Sequence, residues 1–249
     1  MFAGFIIFIT AIGAGMIQSI TGFGSAIVMM LVLPHFMDMV RAPALSNSIV
    51  LGLTMALAWK MRKHVDYRQS LPMAAIYITV SVTIIRAVQN INLDILNIAF
   101  ALFLIGMSLY FLLSERMGNI SIKATPLNGI ICSAIGGAFG GMFGAGGPTV
   151  AMYFLAACKT KESYIGTFQM MFTISNIVNL YTRIRLGIYT WDLLPLTIVG
   201  FVGVTLGKSA GLRVLNRLDI SLMKKIVYIF IGVSGILTLV SKIAAVIGA

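Results

Sequence analysis

The chain consists of long apolar segments separated by short polar stretches. Apolar residues within each segment are continuous rather than alternating, which predicts membrane helices and not the strands of a barrel. A helix needs about 20 residues to cross a hydrocarbon core, and seven segments have that length or nearly so. We therefore predict an all-α integral membrane protein. The segments run roughly over 2–19, 22–37, 43–59, 71–89, 93–113, 126–142, 146–158, 164–182, 191–207 and 222–247.

Two pairs of shorter segments are joined only by glycine-rich turns. The first turn is Gly22-Phe23-Gly24, and the second is Gly144-Ala145-Gly146-Gly147. Glycine permits backbone dihedral angles that other residues avoid, and it lets the backbone approach a neighbour or a ligand closely. Pro148 suits the first turn of a new helix. The sequence thus predicts helical hairpins at 2–37 and 126–158.

The two halves of the chain are related by an internal repeat. Residues 21–28 align with 143–150 at an offset of 122, and shorter matches follow in the same order further along. Repeats of this kind are typical of secondary transporters. We predict two repeats, each with one hairpin and three transmembrane helices, and about eight to ten membrane segments in all. They are 1–123 (hairpin 2–37, helices 43–59, 71–89 and 93–113) and 124–249 (hairpin 126–158, helices 164–182, 191–207 and 222–247).

The composition also indicates a membrane protein. Hydrophobic residues make up 59% of the 249 residues and charged residues only 10%, whereas a soluble domain carries about 25% charged residues. A net charge of +11 could indicate nucleic-acid binding, but no aromatic and basic stripe or RNA-binding motif accompanies it. Basic loops at the cytoplasmic face of a membrane explain the charge better. The predicted partners are therefore the lipid bilayer and a small solute, and not nucleic acid.

The distribution of Lys and Arg favours the hairpin interpretation. If each glycine-broken pair crossed the membrane once, the 18 basic residues would divide equally between the two sides. If each pair enters and leaves on one side, the division is 13 to five, as the positive-inside bias predicts. Five segments per half then make the repeats inverted, with the turns entering from opposite faces and both termini away from the cytoplasm. The smaller group is Arg41, Arg86, Arg183, Arg185 and Lys242.

The two glycine turns form the predicted binding site for an anion. Each turn precedes a helix whose first backbone N–H groups and dipole attract negative charge. Tight packing between membrane helices is the alternative explanation for these glycines. Asn47 and Gln169 occupy equivalent positions in the two repeats, where they would bind the solute or hydrogen-bond a neighbouring helix. The predicted solute-binding residues are Gln18, Thr21, Gly22, Gly24, Ser25, Asn47, Gly144, Gly146, Gly147, Thr149, Gln169 and Asn176.

The sequence argues against an enzyme and against a nucleotide-driven pump. Its acidic residues lie in or beside the gaps between apolar segments, and it has no HExxH, GxSxG or P-loop motif. Cys132 and Cys158 lack CxxC spacing and a histidine partner, so we expect no metal and no cofactor. Arg86 and Arg183 lie near segment ends, where we expect their long side chains to extend to the membrane surface.

At its glycine motifs the chain resembles the TauE/SafE family, the sulfite and sulfonate exporter-like membrane permeases. The first motif comprises Gly15, Thr21-Gly22-Phe23-Gly24 and Pro34; the second comprises Gly136-Gly137 and residues 140–148, followed by Tyr153-Phe154-Leu155. Ser25 departs from the pattern, because many members continue the glycine run there. The resemblance covers essentially the whole chain.

The resemblance implies a multi-pass permease of the cell membrane. Its solute would be a small sulfur-containing or carboxylated anion such as sulfite, sulfoacetate or a related sulfonate, moved in either direction. The alternatives are a passive channel for a small anion or neutral solute, and a membrane scaffold subunit that transports nothing.

Overall fold

A computed structural model describes residues 2–116 and 123–215, which form α-helices joined by short turns. The predicted helix at 222–247 lies outside the described residues. Short 3-10 helices occupy Leu33–His35, Arg62–His64 and Trp191–Leu193. The α-helices are α1 (Phe2–Thr21), α2 (Ser25–Val32), α3 (Arg41–Lys60), α4 (Tyr67–Val88), α5 (Leu93–Arg116), α6 (Pro126–Phe143), α7 (Gly147–Ala157), α8 (Lys161–Arg185) and α9 (Leu194–Leu215).

Four of the described helices are long and apolar enough to cross a membrane. They cover Arg41–Lys60, Tyr67–Val88, Pro126–Phe143 and Trp191–Gly211, and shorter apolar helices accompany them. The prediction of an all-α membrane protein is confirmed at this level. Helix α8 is longer still, with 25 residues, but amide and hydroxyl side chains make it more polar than its neighbours.

Each glycine-broken pair has one long arm and one short arm. Helix α1 has 20 residues and α6 has 18, so at 1.5 Å per residue they extend about 30 and 27 Å. Helix α2 has eight residues and α7 has 11, which gives about 12 and 16 Å. The first arm of each pair is therefore nearly as long as a hydrocarbon core is thick, whereas the second helix is about half that length or less.

The chain divides into two compact units that each draw on both predicted repeats. One comprises residues 1–89 and 121–212, and the other comprises 90–120 and 213–249. The described part of the second unit is essentially α5. Asn92 caps the start of this helix, because its Oδ1 accepts a hydrogen bond from the Asp94 N–H at 2.7 Å. The candidate site lies wholly within the first unit.

Glycines bring α6 against α4. A Cβ atom added to Gly137 would lie 2.6 Å from the Tyr77 carbonyl oxygen, and one added to Gly141 would lie 2.7 Å from that of Ser81. Small residues let membrane helices approach closely in this way. Because both pairs advance by four residues along each helix, α4 and α6 run in the same direction.

Helices α1 and α9 pack in the same manner. A Cβ added to Gly203 would lie 2.7 Å from the Phe8 carbonyl oxygen, and one added to Gly207 would lie 2.0 Å from that of Ile12. These pairs also advance together, so α1 and α9 are parallel. Some glycines of the sequence thus serve helix packing rather than a binding site.

Helix α8 lies among α3, α4 and α7, and this position explains its polar side chains. The Ser81 hydroxyl of α4 donates to Asn179 Oδ1 at 2.7 Å, and the Asp66 N–H before α4 donates to Thr167 Oγ1 at 2.9 Å. Neighbouring helices therefore supply partners that lipid could not. The two bonds also show that α4 and α8 are parallel.

Helix α3 runs opposite to α8 and parallel to α9. Its Asn47 side chain meets the middle of α8, while the start of α3 meets the last turn of α8 through Val40 and Arg183. Arg41 at the start of α3 forms an ion pair with Asp192, just before α9. Helices α1, α3 and α9 thus run one way, and α4, α6 and α8 run the other.

Candidate functional site

The first glycine turn needs glycine at two positions. Gly22 has a φ of 82° and Gly24 a φ of 98°, in the left-handed region that other residues rarely adopt. The Gly22 N–H donates to the Gln18 carbonyl at 2.9 Å and so closes the end of α1. Gly24 is the N-cap of α2, and its carbonyl accepts from Val28 at 3.1 Å. The turn therefore leaves the first N–H groups of α2 directed toward its open end.

The second turn closes α6 and starts α7. Gly144 has a φ of 68°, and its N–H donates to the Gly140 carbonyl at 2.9 Å, as in a left-handed C-cap. Pro148 lies in the first turn of α7, where a proline needs no N–H partner. Both turns thus present a helix N-terminus immediately after a helix C-terminus.

A cavity lies between the two turns. The turns approach each other there, because a Cβ added to Gly147 would lie 3.3 Å from Phe23 Cβ. The lining residues are Gln18, Gly22, Phe23, Gly24, Ser25, Ala26, Ile27, Asn47, Val50, Thr54, Gly144, Ala145, Gly147, Pro148, Phe168, Gln169, Phe172 and Asn176. This set contains no acidic, basic or histidine side chain.

The cavity brings together nine of the residues that the sequence predicts for the site. They are Gln18, Gly22, Gly24, Ser25, Asn47, Gly144, Gly147, Gln169 and Asn176. Gly146 and Thr149 lie behind the second turn instead. A Cβ on Gly146 would lie 1.9 Å from the Gly136 carbonyl oxygen, and Thr149 Oγ1 donates to the Gly146 carbonyl at 3.1 Å. Thr21 ends α1, and its side chain is outside the described set.

Gln169 connects α8 to the first turn. Its Nε2 donates to the Gly22 carbonyl at 2.8 Å, and its side chain is fully buried. This bond fixes which end of the amide faces Gly22, since the opposite orientation would set two oxygens against each other. The Oε1 atoms of Gln18 and Gln169 are buried, and neither accepts a hydrogen bond from the described residues.

Asn47 connects α3 to α8 at the same cavity. Its Nδ2 donates to the Asn176 carbonyl at 3.2 Å, so part of its amide serves the helix contact that the sequence offered as the alternative. Asn179, three residues beyond Asn176, bonds Ser81 and does not line the cavity. The two asparagines of α8 therefore have different surroundings.

Sequence reasoning missed several residues of the lining, including Thr54 and the rings of Phe23, Phe168 and Phe172. The internal repeat could have indicated Thr54, because Thr54 lies 122 positions before Asn176 and so occupies the equivalent position in the first repeat. Seven pairs of lining residues share this offset: Gly22 and Gly144, Phe23 and Ala145, Ser25 and Gly147, Ala26 and Pro148, Asn47 and Gln169, Val50 and Phe172, Thr54 and Asn176.

Arg183 corrects one expectation. Its side chain does not extend to the surface but is 2% exposed, with Nη2 donating to the Gly141 carbonyl at 2.8 Å and Nη1 to that of Val40 at 3.4 Å. The physical reason is the end of α6, where the Ala145 N–H turns to the Phe139 carbonyl and leaves the Gly141 carbonyl for another donor. Arg86, in contrast, is exposed.

The fold and the cavity together define a multi-pass, all-helical membrane protein whose broken helices meet at one small site. The family model described as "Sulfite exporter TauE/SafE" matches residues 7–238. The chain therefore belongs to this family of membrane transporters, and the resemblance seen in its glycine motifs is confirmed. Neither a curated protein nor a solved structure matches the chain.

Proposed function

We propose that the protein carries a small sulfur-containing or carboxylated organic anion, such as sulfite, sulfoacetate or a related sulfonate, across the cell membrane. The solute binds between the two glycine turns and is exposed to each side of the membrane in turn. The observation that carries this proposal is the cavity that both turns line. The family's description as a sulfite exporter supports this class of solute.

The lining of the cavity suits an anion with a small apolar body. Helices α2 and α7 begin at the cavity, and the N-terminus of each carries roughly half a positive charge together with unpaired N–H groups. The amides of Gln18, Asn47 and Gln169 add polar groups, and none of the described carboxylates lines the space to repel an anion. Aromatic rings on α8 provide the apolar wall.

Alternating exposure is supported by the directions of equivalent helices. In the predicted repeats α1 corresponds to α6, α3 to α8 and α4 to α9, and each of these pairs runs in opposite directions. The seven residue pairs of the lining that share one offset point to the same relationship. Inverted repeats allow a transporter to adopt two states, related by a pseudo-two-fold axis in the membrane plane, around a fixed midplane site.

Charge at the two ends of the unit supports an orientation. We call the end where α4, α6 and α8 begin the basic end, and the end where α3 and α9 begin the Arg41 end. Described residues near the basic end are Lys60, Arg62, Lys63, Arg68, Lys123, Lys159, Lys161 and Lys208, whereas Arg41, Arg86, Arg183 and Arg185 are near the Arg41 end. The positive-inside bias then directs the basic end to the cytoplasm.

Transport by purified protein in proteoliposomes tests the proposed function. We expect uptake of labelled sulfoacetate or sulfite to saturate with concentration, and preloaded unlabelled solute to accelerate it by counterflow. A flux that rises linearly with concentration and shows no counterflow would indicate a channel. Absence of flux and of binding for sulfite, sulfonates and carboxylates, with a defined protein partner that co-purifies, would indicate a scaffold subunit.

Single cysteines test the orientation separately. Lys63 and Arg185 are both exposed and lie at opposite ends, so each can be replaced by cysteine after Cys132 and Cys158 are changed to alanine. We expect an impermeant maleimide to label Arg185→Cys from outside intact cells, and Lys63→Cys only after the membrane is opened. Labelling of both positions from one side would contradict the inverted topology, and the reverse pattern would contradict the orientation.

A further inference from the structure

A buried guanidinium lies behind the second glycine turn. The Arg183 side chain is 2% exposed and bonds two backbone carbonyls, those of Gly141 at the end of α6 and Val40 just before α3. A guanidinium keeps its charge in proteins. The chain therefore holds a full positive charge inside the helical unit.

No described acidic side chain forms an ion pair with this charge. The ion pair at the Arg41 end joins Arg41 to Asp192 instead, and the partners of Arg183 are neutral carbonyls. Its Nε atom is buried and has no acceptor in the described part of the chain. Burial of an ion without a counter-ion is costly, and ionisable residues within membrane proteins usually serve a function for this reason.

The position of Arg183 relates it to the cavity. Arg183 follows Asn176 by seven residues, which is two turns along α8, and therefore lies on the same face of that helix. The Cα atoms of the two residues are about 10 Å apart. Asn176 lines the cavity. The intervening Asn179 bonds Ser81 of α4, so neutral side chains lie between this charge and the site.

We propose that Arg183 supplies a fixed positive charge whose field makes the cavity prefer anions, without contact with the solute. The inference rests on the proposed function, because it concerns the same cavity. Within residues 2–116 and 123–215, no charged side chain lines the cavity. The buried amide oxygens of Gln18 and Gln169 would by themselves disfavour an anion there. A cation behind the turn offsets that effect and adds to the attraction of the helix N-termini.

An electrostatic effect of Arg183 depends on the charge of the solute, whereas a purely structural effect does not. At about 10 Å and an effective dielectric constant of about 20, loss of the charge weakens binding of a monoanion on the order of tenfold. For a dianion the interaction energy doubles, so the affinity falls by the square of that factor, about a hundredfold. Damage to the turn alone would weaken the binding of both solutes by the same factor.

The experiment measures competition by methanesulfonate, a monoanion, and by sulfoacetate, a dianion, in proteoliposomes. Arg183→Gln removes the charge but keeps a donor for the Gly141 carbonyl, and we expect it to lose about ten times more affinity for sulfoacetate than for methanesulfonate. Arg183→Lys keeps the charge, and the ratio of the two affinities should stay within about twofold of the unmodified protein. Arg185→Gln, an exposed neighbour on α8, is the matched control and should change neither affinity.

Equal losses for the two solutes in Arg183→Gln, or no loss, would overturn the inference. If that variant does not insert, Arg183→Lys decides, because a changed ratio in a variant that keeps the charge would also overturn it. An unmodified protein that binds neither solute would instead contradict the proposed function, so the two failures are distinguishable.

Discussion

Replacement of Gly146 by alanine is expected to lower the rate of transport about a hundredfold. The added Cβ would lie 1.9 Å from the Gly136 carbonyl oxygen and 2.7 Å from the Tyr77 hydroxyl. The Gly136 backbone cannot retreat easily, because the next residue of α6 already packs on the α4 backbone. The turn must therefore shift by about 1 Å, and a displacement of that size at a functional site costs about a hundredfold in rate. Uptake in proteoliposomes, normalised to inserted protein, measures the loss.

Gly13→Ala is the matched control for this variant. Gly13 lies in α1 with no atom within 4 Å of an added Cβ, so the substitution should leave uptake unchanged. Gly24→Ala tests the first turn by another mechanism, since a φ of 98° costs a side chain about 1–2 kcal/mol. If Gly146→Ala and Gly24→Ala both insert and transport at the normal rate, the glycine turns have no part in the mechanism.

Replacement of Gln169 by glutamate is expected to give transport that falls steeply as the pH rises. Gln169 is fully buried, bonds the Gly22 carbonyl and lines the cavity. A protonated carboxyl can still donate to Gly22, so the variant should work best at low pH. Once ionised, the carboxylate loses that donor and repels the solute, by about 3 kcal/mol at ~5 Å and an effective dielectric constant of ~20. That energy is more than a hundredfold in affinity.

The measurement is the pH profile of uptake relative to the unmodified protein. Gln169→Met is the control, because it removes the donor without adding a charge. We expect its uptake to be lower by about tenfold, the effect of an unpaired buried carbonyl, and its relative uptake to be independent of pH. A Gln169→Glu variant with the same flat profile as Gln169→Met would show that no anion approaches this side chain.

Some helix boundaries could be predicted closely from the sequence, and others less well. Helix α6 was expected at 126–142 and extends over Pro126–Phe143. The second arm of the first hairpin was expected to reach residue 37, but α2 ends at Val32 and a 3-10 helix continues to His35. Hydropathy reports where a segment avoids water, and it does not distinguish a helix from an apolar turn buried by its neighbours.

The candidate site was predictable where local chemistry determines it. Gly22, Gly24 and Gly144 have positive φ angles, and glycine in a short turn between two apolar segments indicates such a conformation. Gly146 has a φ of −74°, so the reason for glycine there is the nearby Gly136 carbonyl. Only the packing of α6 against the turn reveals that requirement.

The class of this protein follows from the sequence by itself. A chain with 59% hydrophobic and 10% charged residues must bond its backbone within helices in a bilayer, and its glycine motifs mark the two breaks and the family. Tertiary structure alone decided which polar groups share a cavity. Thr54 and Phe172 line it because α3 and α8 pack together, and Arg183 is buried because the end of α6 leaves it a carbonyl. These outcomes depend on which helices pack together, and the hydrophobic periodicity of the sequence does not determine that.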